Sequence, residues 1–190
     1  MKRFYKDVTI VAEGDGHAIR LDDRPVRTPA RALLTLPTLA LAQAVAEEWR
    51  AQEETVDPAS MPFTGLANAA IDHIVPNRAQ FAAGIARYGE SDLLCYRAHS
   101  PETLVRLHAA VAMHDPFRLA GLSTLVTLSG SLVCGLAVVE NSHSAEAIWP
   151  IAEIDEAWQV EQWGEDAQAA ARSARRKSEF SMAGAFCAMS

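Results

Sequence analysis

Apolar and polar residues alternate along Tyr5-Lys-Asp-Val-Thr-Ile-Val11 and again along His17-Ala-Ile-Arg-Leu21, with Glu13-Gly-Asp-Gly16 between them. A period of two predicts strands, and the two glycines supply the freedom that a reversal needs. Asp22-Asp-Arg-Pro-Val-Arg-Thr-Pro29 follows with turn chemistry and two prolines that resist helix, and Leu33-Leu-Thr-Leu36 predicts a third strand. From Pro37 the period becomes helical. Thr38 is placed to cap a helix in which Leu39, Ala42, Val45, Ala46 and Trp49 recur at spacings of three and four as far as about Gln52. That stripe points Trp49 toward the core. Asp57-Pro-Ala-Ser-Met-Pro62 is a connector, Phe63 to Ile74 a second apolar helix ending before Pro76, and Arg78 to Tyr88 a third. Gly89-Glu-Ser-Asp92 breaks that helix, Leu93-Leu-Cys-Tyr-Arg-Ala98 suits helix or strand, and Pro101 starts another helical piece. The pattern predicts an α+β protein, with a small β-rich N-terminal domain over residues 1–37 and a larger, mainly α-helical domain over 38–190. No internal repeat is present.

Asp115-Pro-Phe117 opens the longest apolar run, and Leu119 to Val139 carries no charged residue over a length that could span a bilayer. A helix apolar all round belongs in a protein core or in a membrane. Its Gly, Ala, Ser and Thr content, the lack of flanking aromatic belts and the acidic Glu140 at its end point to a buried central helix. Asn141-Ser-His-Ser144 forms a loop after it, and Pro150 marks a kink or a first turn. Further on, Arg172, Arg175, Arg176 and Lys177 load positive charge as expected toward a helix C-terminus.

Between these lies Asp155-Glu-Ala-Trp-Gln-Val-Glu-Gln-Trp-Gly-Glu-Asp166, with two tryptophans and five carboxylates. At helical spacing Ile151, Ile154, Trp158, Glu161 and Glu165 share a stripe that begins apolar and ends acidic, which makes Trp158 the expected anchor. Asp155, Gln159, Gln162 and Asp166 form a second stripe beside it. A broad polar surface of this kind suits docking better than catalysis. Core anchors beside a solvated acidic face are the plainer account of the same residues.

Composition narrows the partners. Seventeen Lys and Arg against 24 Asp and Glu give a formal charge of −7, which repels phosphate backbones and argues against nucleic acid. Cys95, Cys134 and Cys187 are widely spaced, so neither a disulfide framework nor a zinc site is indicated, and a reducing compartment fits. The N-terminus lacks the apolar core of a signal peptide and an Arg/Ser-rich transit segment, so a cytoplasmic location is expected. His99, His108 and His114 lack the spacing of a metal motif and read as surface histidines. Ser129-Gly-Ser131 resembles a nucleophile elbow in composition only, and no phosphate-binding glycine loop occurs. Glu161 and Glu165 could serve a small soluble hydrolase if they shared a pocket.

Five runs carry a more specific signal: Leu21-Asp-Asp-Arg-Pro-Val-Arg-Thr-Pro29, Ala46-Glu-Glu-Trp-Arg-Ala-Gln52, Ser60-Met-Pro62, Tyr88-Gly-Glu-Ser-Asp-Leu-Leu-Cys-Tyr-Arg97 and the acidic stretch ending at Asp166. In this order they closely resemble the ATP synthase F₁ assembly chaperones that act on the α subunit, in a bacterial-type form. The resemblance implies a chaperone without enzymatic activity or cofactor, which shields new α subunit until the β subunit replaces it. Glu161, Gln162, Trp163, Glu165 and Asp166 are then the expected partner-binding residues. Members of that family carry a further segment between the equivalents of Pro101-Glu-Thr-Leu104 and His114-Asp-Pro-Phe117. Its absence here means either a true deletion or omitted residues, and omission predicts a chain break between Leu104 and His114. A membrane-associated scaffold, with Leu119 to Val139 against lipid, is the remaining rival.

Overall fold

A computed structural model describes residues 2–94 and 101–190, so the stretch from Cys95 to Ala98, expected as helix or strand, and His99 lie outside the described residues. The chain forms two compact units, residues 1–78 with 189–190, and residues 79–188. The change of period at Pro37 is a change of secondary structure and is not where these units divide, because the helices that follow it cover the sheet.

In the first unit β1 (Val8–Glu13) and β2 (Gly16–Leu21) pair antiparallel with Val8 opposite Leu21 and Glu13 opposite Gly16. Gly14 turns the chain at φ +58°, a conformation that an L side chain rarely adopts. The short strands β3 (Arg24–Pro25) and β4 (Thr35–Leu36) both pair with β2. The expected strand at Leu33–Leu36 is thus halved, with Leu33 bridging only to Arg27. Helix α1 (Leu39–Arg50) begins at Thr38, whose hydroxyl accepts the Leu41 N–H at 3.1 Å and donates to the Met189 carbonyl. Its buried stripe is Leu41, Ala42, Val45 and Ala46, whereas Leu39 is exposed. Trp49 is half-buried, with Tyr5 edge-on at 5.8 Å.

Two carboxylates hold this unit's loops. Glu48 accepts the backbone N–H groups of Phe63 and Thr64 at 2.6 and 2.8 Å and the Thr64 hydroxyl at 2.7 Å, capping α2 (Pro62–Ala69) from another helix. Burial pushes its carboxyl above the ordinary range, against the pull of those donors. The second expected helix does not stay regular. It loosens into a π-helical turn at Ala70–Ile74 and a 3₁₀ turn at Val75–Asn77, and there Asp72 accepts the Thr28 hydroxyl at 2.6 Å and the Ala30 N–H at 2.9 Å.

The second unit is helical, built from α3 (Arg78–Ala86), α4 (Pro101–Met113), α5 (Pro116–Ser129), α6 (Leu132–Val139), α7 (Ala145–Ala152), α8 (Ile154–Trp163) and α9 (Ala167–Met189). The apolar run expected as one helix is two. Gly130 adopts φ +69° at the end of α5, and the Ser131 hydroxyl accepts the Cys134 N–H at 3.1 Å to start α6. Ser129-Gly-Ser131 is therefore a helix break. Among the described residues no helix is long and apolar enough to cross a membrane. The small residues of the run serve packing: a Cβ on Gly135 would meet Val126 at 2.7 Å. The stretch between Leu104 and His114 shows no break, since α4 runs through it and the His114 N–H reaches the Val111 carbonyl at 3.3 Å.

His114, expected at the surface, is buried. Its Nε2 lies 3.2 Å from Glu140, yet burial holds the imidazole below its ordinary value of 6.5, with Arg118 adding to that and Glu140 and Asp115 opposing it. A base whose pKa is depressed on folding binds its proton more readily when unfolded, so stability is complete above pH 6.5 and falls as the pH drops toward the folded value. The variant His114→Gln should flatten that part of a pH-dependent urea titration. An unchanged slope would remove His114 as its source.

Candidate docking site

Every residue of α8 is exposed. Trp158 is 54% exposed, Trp163 73% and Ile154 65%, so Trp158 is not the anchor that its stripe predicted. The stripe joined residues across a break: α7 ends at Ala152, Glu153 has left helical geometry at φ −104°, ψ 18°, and Ile151 and Ile154 do not share one helix axis. The aromatic that enters the core is Trp149, packed on the fully buried Phe180 with ring centroids 5.3 Å apart. Trp158 and Trp163 lie edge-on to each other at 5.5 Å.

What holds α8 in place is polar. Glu153 is buried, accepts the Ser173 hydroxyl, and faces the Arg176 guanidinium at 3.1 Å. The same guanidinium lies 3.7 Å from Glu156, donates to the Leu128 carbonyl at 2.6 Å and sits over the Trp149 ring at 5.7 Å. A charge pair this close with hydrogen bonds on both sides ties α9 to the start of α8 and to the end of α5. The cluster Arg172 to Lys177 lies in mid-helix, since α9 continues to Met189, so the expected macrodipole role gives way to this one. Sequence spacing could not show it, because Glu153 and Arg176 meet only through the fold.

Gly164 ends α8 at φ +83°, ψ 170°, a region open essentially to glycine alone. The chain reverses there, and Asp166 accepts the Ala169 N–H at 2.7 Å to start α9. Between α8 and α9 the reversal leaves a cleft of about 570 Å³, lined by Ala157, Val160, Trp163, Ala169, Ala170 and Ala174, with Glu156, Glu165 and Asp166 also on its wall. All five expected docking residues are exposed. Trp163, Glu165 and Asp166 line the cleft, whereas Glu161 and Gln162 do not. Glu161 and Glu165 therefore do not meet on the wall of this cleft. Among the described residues no ion pair reaches Glu161, Glu165 or Asp166, and no three His, Cys, Asp or Glu side chains are grouped to hold a metal.

Comparison with known proteins adds to this geometry. The family model described as ATP12 chaperone protein matches residues 2–116. Among solved structures, Atp12 from Paracoccus denitrificans matches with a TM-score of 0.92 at 36% identity, covering 99% of this chain and 97% of its own. A point mutant of P. denitrificans Atp12p gives 0.91 and 35% over the same shares. A protein from Agrobacterium tumefaciens described as a chaperone matches at 0.82 and 35%, covering 98% of this chain and 84% of its own.

Proposed function

Because the chain belongs to the ATP12 chaperone family, the family of ATP synthase F₁ assembly chaperones, we propose that it binds free α subunit in the cytoplasm and keeps it soluble until the β subunit takes its place. The observation that carries this reading is α8, a helix with two exposed tryptophans, Ile154 and Val160 in water. Contiguous apolar surface of this kind marks an interaction site, and an unassembled subunit exposes complementary surface that aggregates if left uncovered. The carboxylates of Glu161, Glu165 and Asp166, with Gln162 and Trp163, give that surface charge and register. No covalent chemistry is required of it. The chaperone acts by covering a surface, stoichiometrically and without turning over nucleotide.

Co-expression with α subunit alone tests the reading: α subunit should remain soluble and co-purify with this chain, and aggregation in its presence would refute it. Within that assay Glu165→Lys should leave folding within about 0.5 kcal/mol, as expected of an exposed substitution, while weakening the complex about tenfold. Trp158→Ala should behave alike, since Trp158 lies at the surface. A collapse in its melting temperature would show instead that its packing on Trp163 supports the fold.

A further inference from the structure

The cleft between α8 and α9 is more selective than an exposed helix. Its volume of about 570 Å³ falls in the range of sites that enclose a ligand group, roughly 300–1,000 Å³. Alanines at 157, 169, 170 and 174 leave the room, Val160 and Trp163 supply apolar wall, and Gly164 fixes the angle at which the two helices diverge. Charge along the wall has one sign. Arg176 is engaged by Glu153, Glu156 and the Leu128 carbonyl, while Glu165 and Asp166 have no cation partner among the described residues.

We propose that this cleft, resting on the reading of the chain as an α-subunit chaperone, receives a basic amphipathic segment of the α subunit: one bulky apolar side chain seats between α8 and α9, and a neighbouring Lys or Arg pairs with Glu165 and Asp166. The apolar wall excludes water from the pair, which strengthens it relative to an ion pair on an open surface. A second copy of this chain is a poor occupant, because two molecules of formal charge −7 repel. Acidic segments meet the same repulsion at the wall itself.

The test uses the full chain and three fluorescein-labelled peptides of equal length, one of leucine and lysine, one of leucine and glutamate, one of serine and lysine, read by anisotropy. The leucine–lysine peptide should bind at least about tenfold more tightly than either of the others. Filling the cleft with Ala170→Phe, or with Ala174→Phe should the first fail to unfold cooperatively in urea, should weaken that binding about tenfold and reduce α-subunit co-purification in parallel. Equal affinity for all three peptides overturns the inference. So does a folded cleft-filling variant that retains α subunit as the parent does, and in that case the assembly reading stands. A wild-type chain that discriminates among the peptides yet fails to hold α subunit overturns the assembly reading, and with it the occupant named here. A dimer that Ala170→Phe or Ala174→Phe converts to monomer assigns the cleft to a second copy and overturns the proposal.

Discussion

Asp92→Ala is expected to destabilise the helical unit by about 3 kcal/mol, read as a lower urea midpoint with an unchanged slope. Asp92 is 2% exposed and has no counter-ion among the described residues; its charge is met by donors. One carboxylate oxygen takes the Ser131 hydroxyl at 2.9 Å and the Val133 N–H at 3.0 Å, and the other takes the Leu94 N–H at 3.0 Å. Two of those donors stand at the start of α6, where the helix dipole favours a negative charge. Alanine would strand them in a dry site. The variant Asp92→Asn keeps one acceptor oxygen and should lose about half as much. A loss below about 1 kcal/mol for Asp92→Ala would mean that the donors find other acceptors.

The second large effect is steric. A methyl group at Gly121 would lie 2.2 Å from the Cys187 Sγ and 3.2 Å from the Ala183 carbonyl, so α5 and α9 approach as closely as they do only because position 121 has no side chain. Gly121→Ala should cost about 2–3 kcal/mol, in the range of overpacked cores. Cys187 is fully buried, and burial pushes its thiol up to about 12, which makes it a packing group at neutral pH. Cys187→Ala removes the atom in the way. The double variant should recover at least about 1 kcal/mol relative to the sum of the single ones. Strict additivity would locate the strain at the Ala183 carbonyl.

The two-residue period of β1 and β2 and the Thr38 cap were legible because each depends on residues near in sequence. The single helix expected from Leu119 to Val139 was not, although its signal was present: Ser-Gly-Ser can end one helix and cap the next, and hydropathy outweighs that in a long apolar run. Trp158 shows a different limit. A stripe argument assumes one helix axis, and at Glu153 the chain leaves it for an ion pair whose partner, the half-exposed Arg176, is in another helix. Glu48, in the second of the five runs, illustrates the same point. Its carboxylate reads as one more solvated charge until α2 is placed on it. The exposure of Glu161, Glu165 and Asp166 was legible in the sequence, while the cleft that two of them line depends on the reversal at Gly164.

Trp158 and Trp163, edge-on at 5.5 Å, have an optical consequence. Two indoles this close and nearly perpendicular couple their electronic transitions, and a chiral arrangement of the pair splits the band into components of opposite sign in circular dichroism. An occupant that parts the rings or turns one of them would change that couplet without any label attached. The helix proposed to receive the client thus carries its own gauge of whether it has arrived.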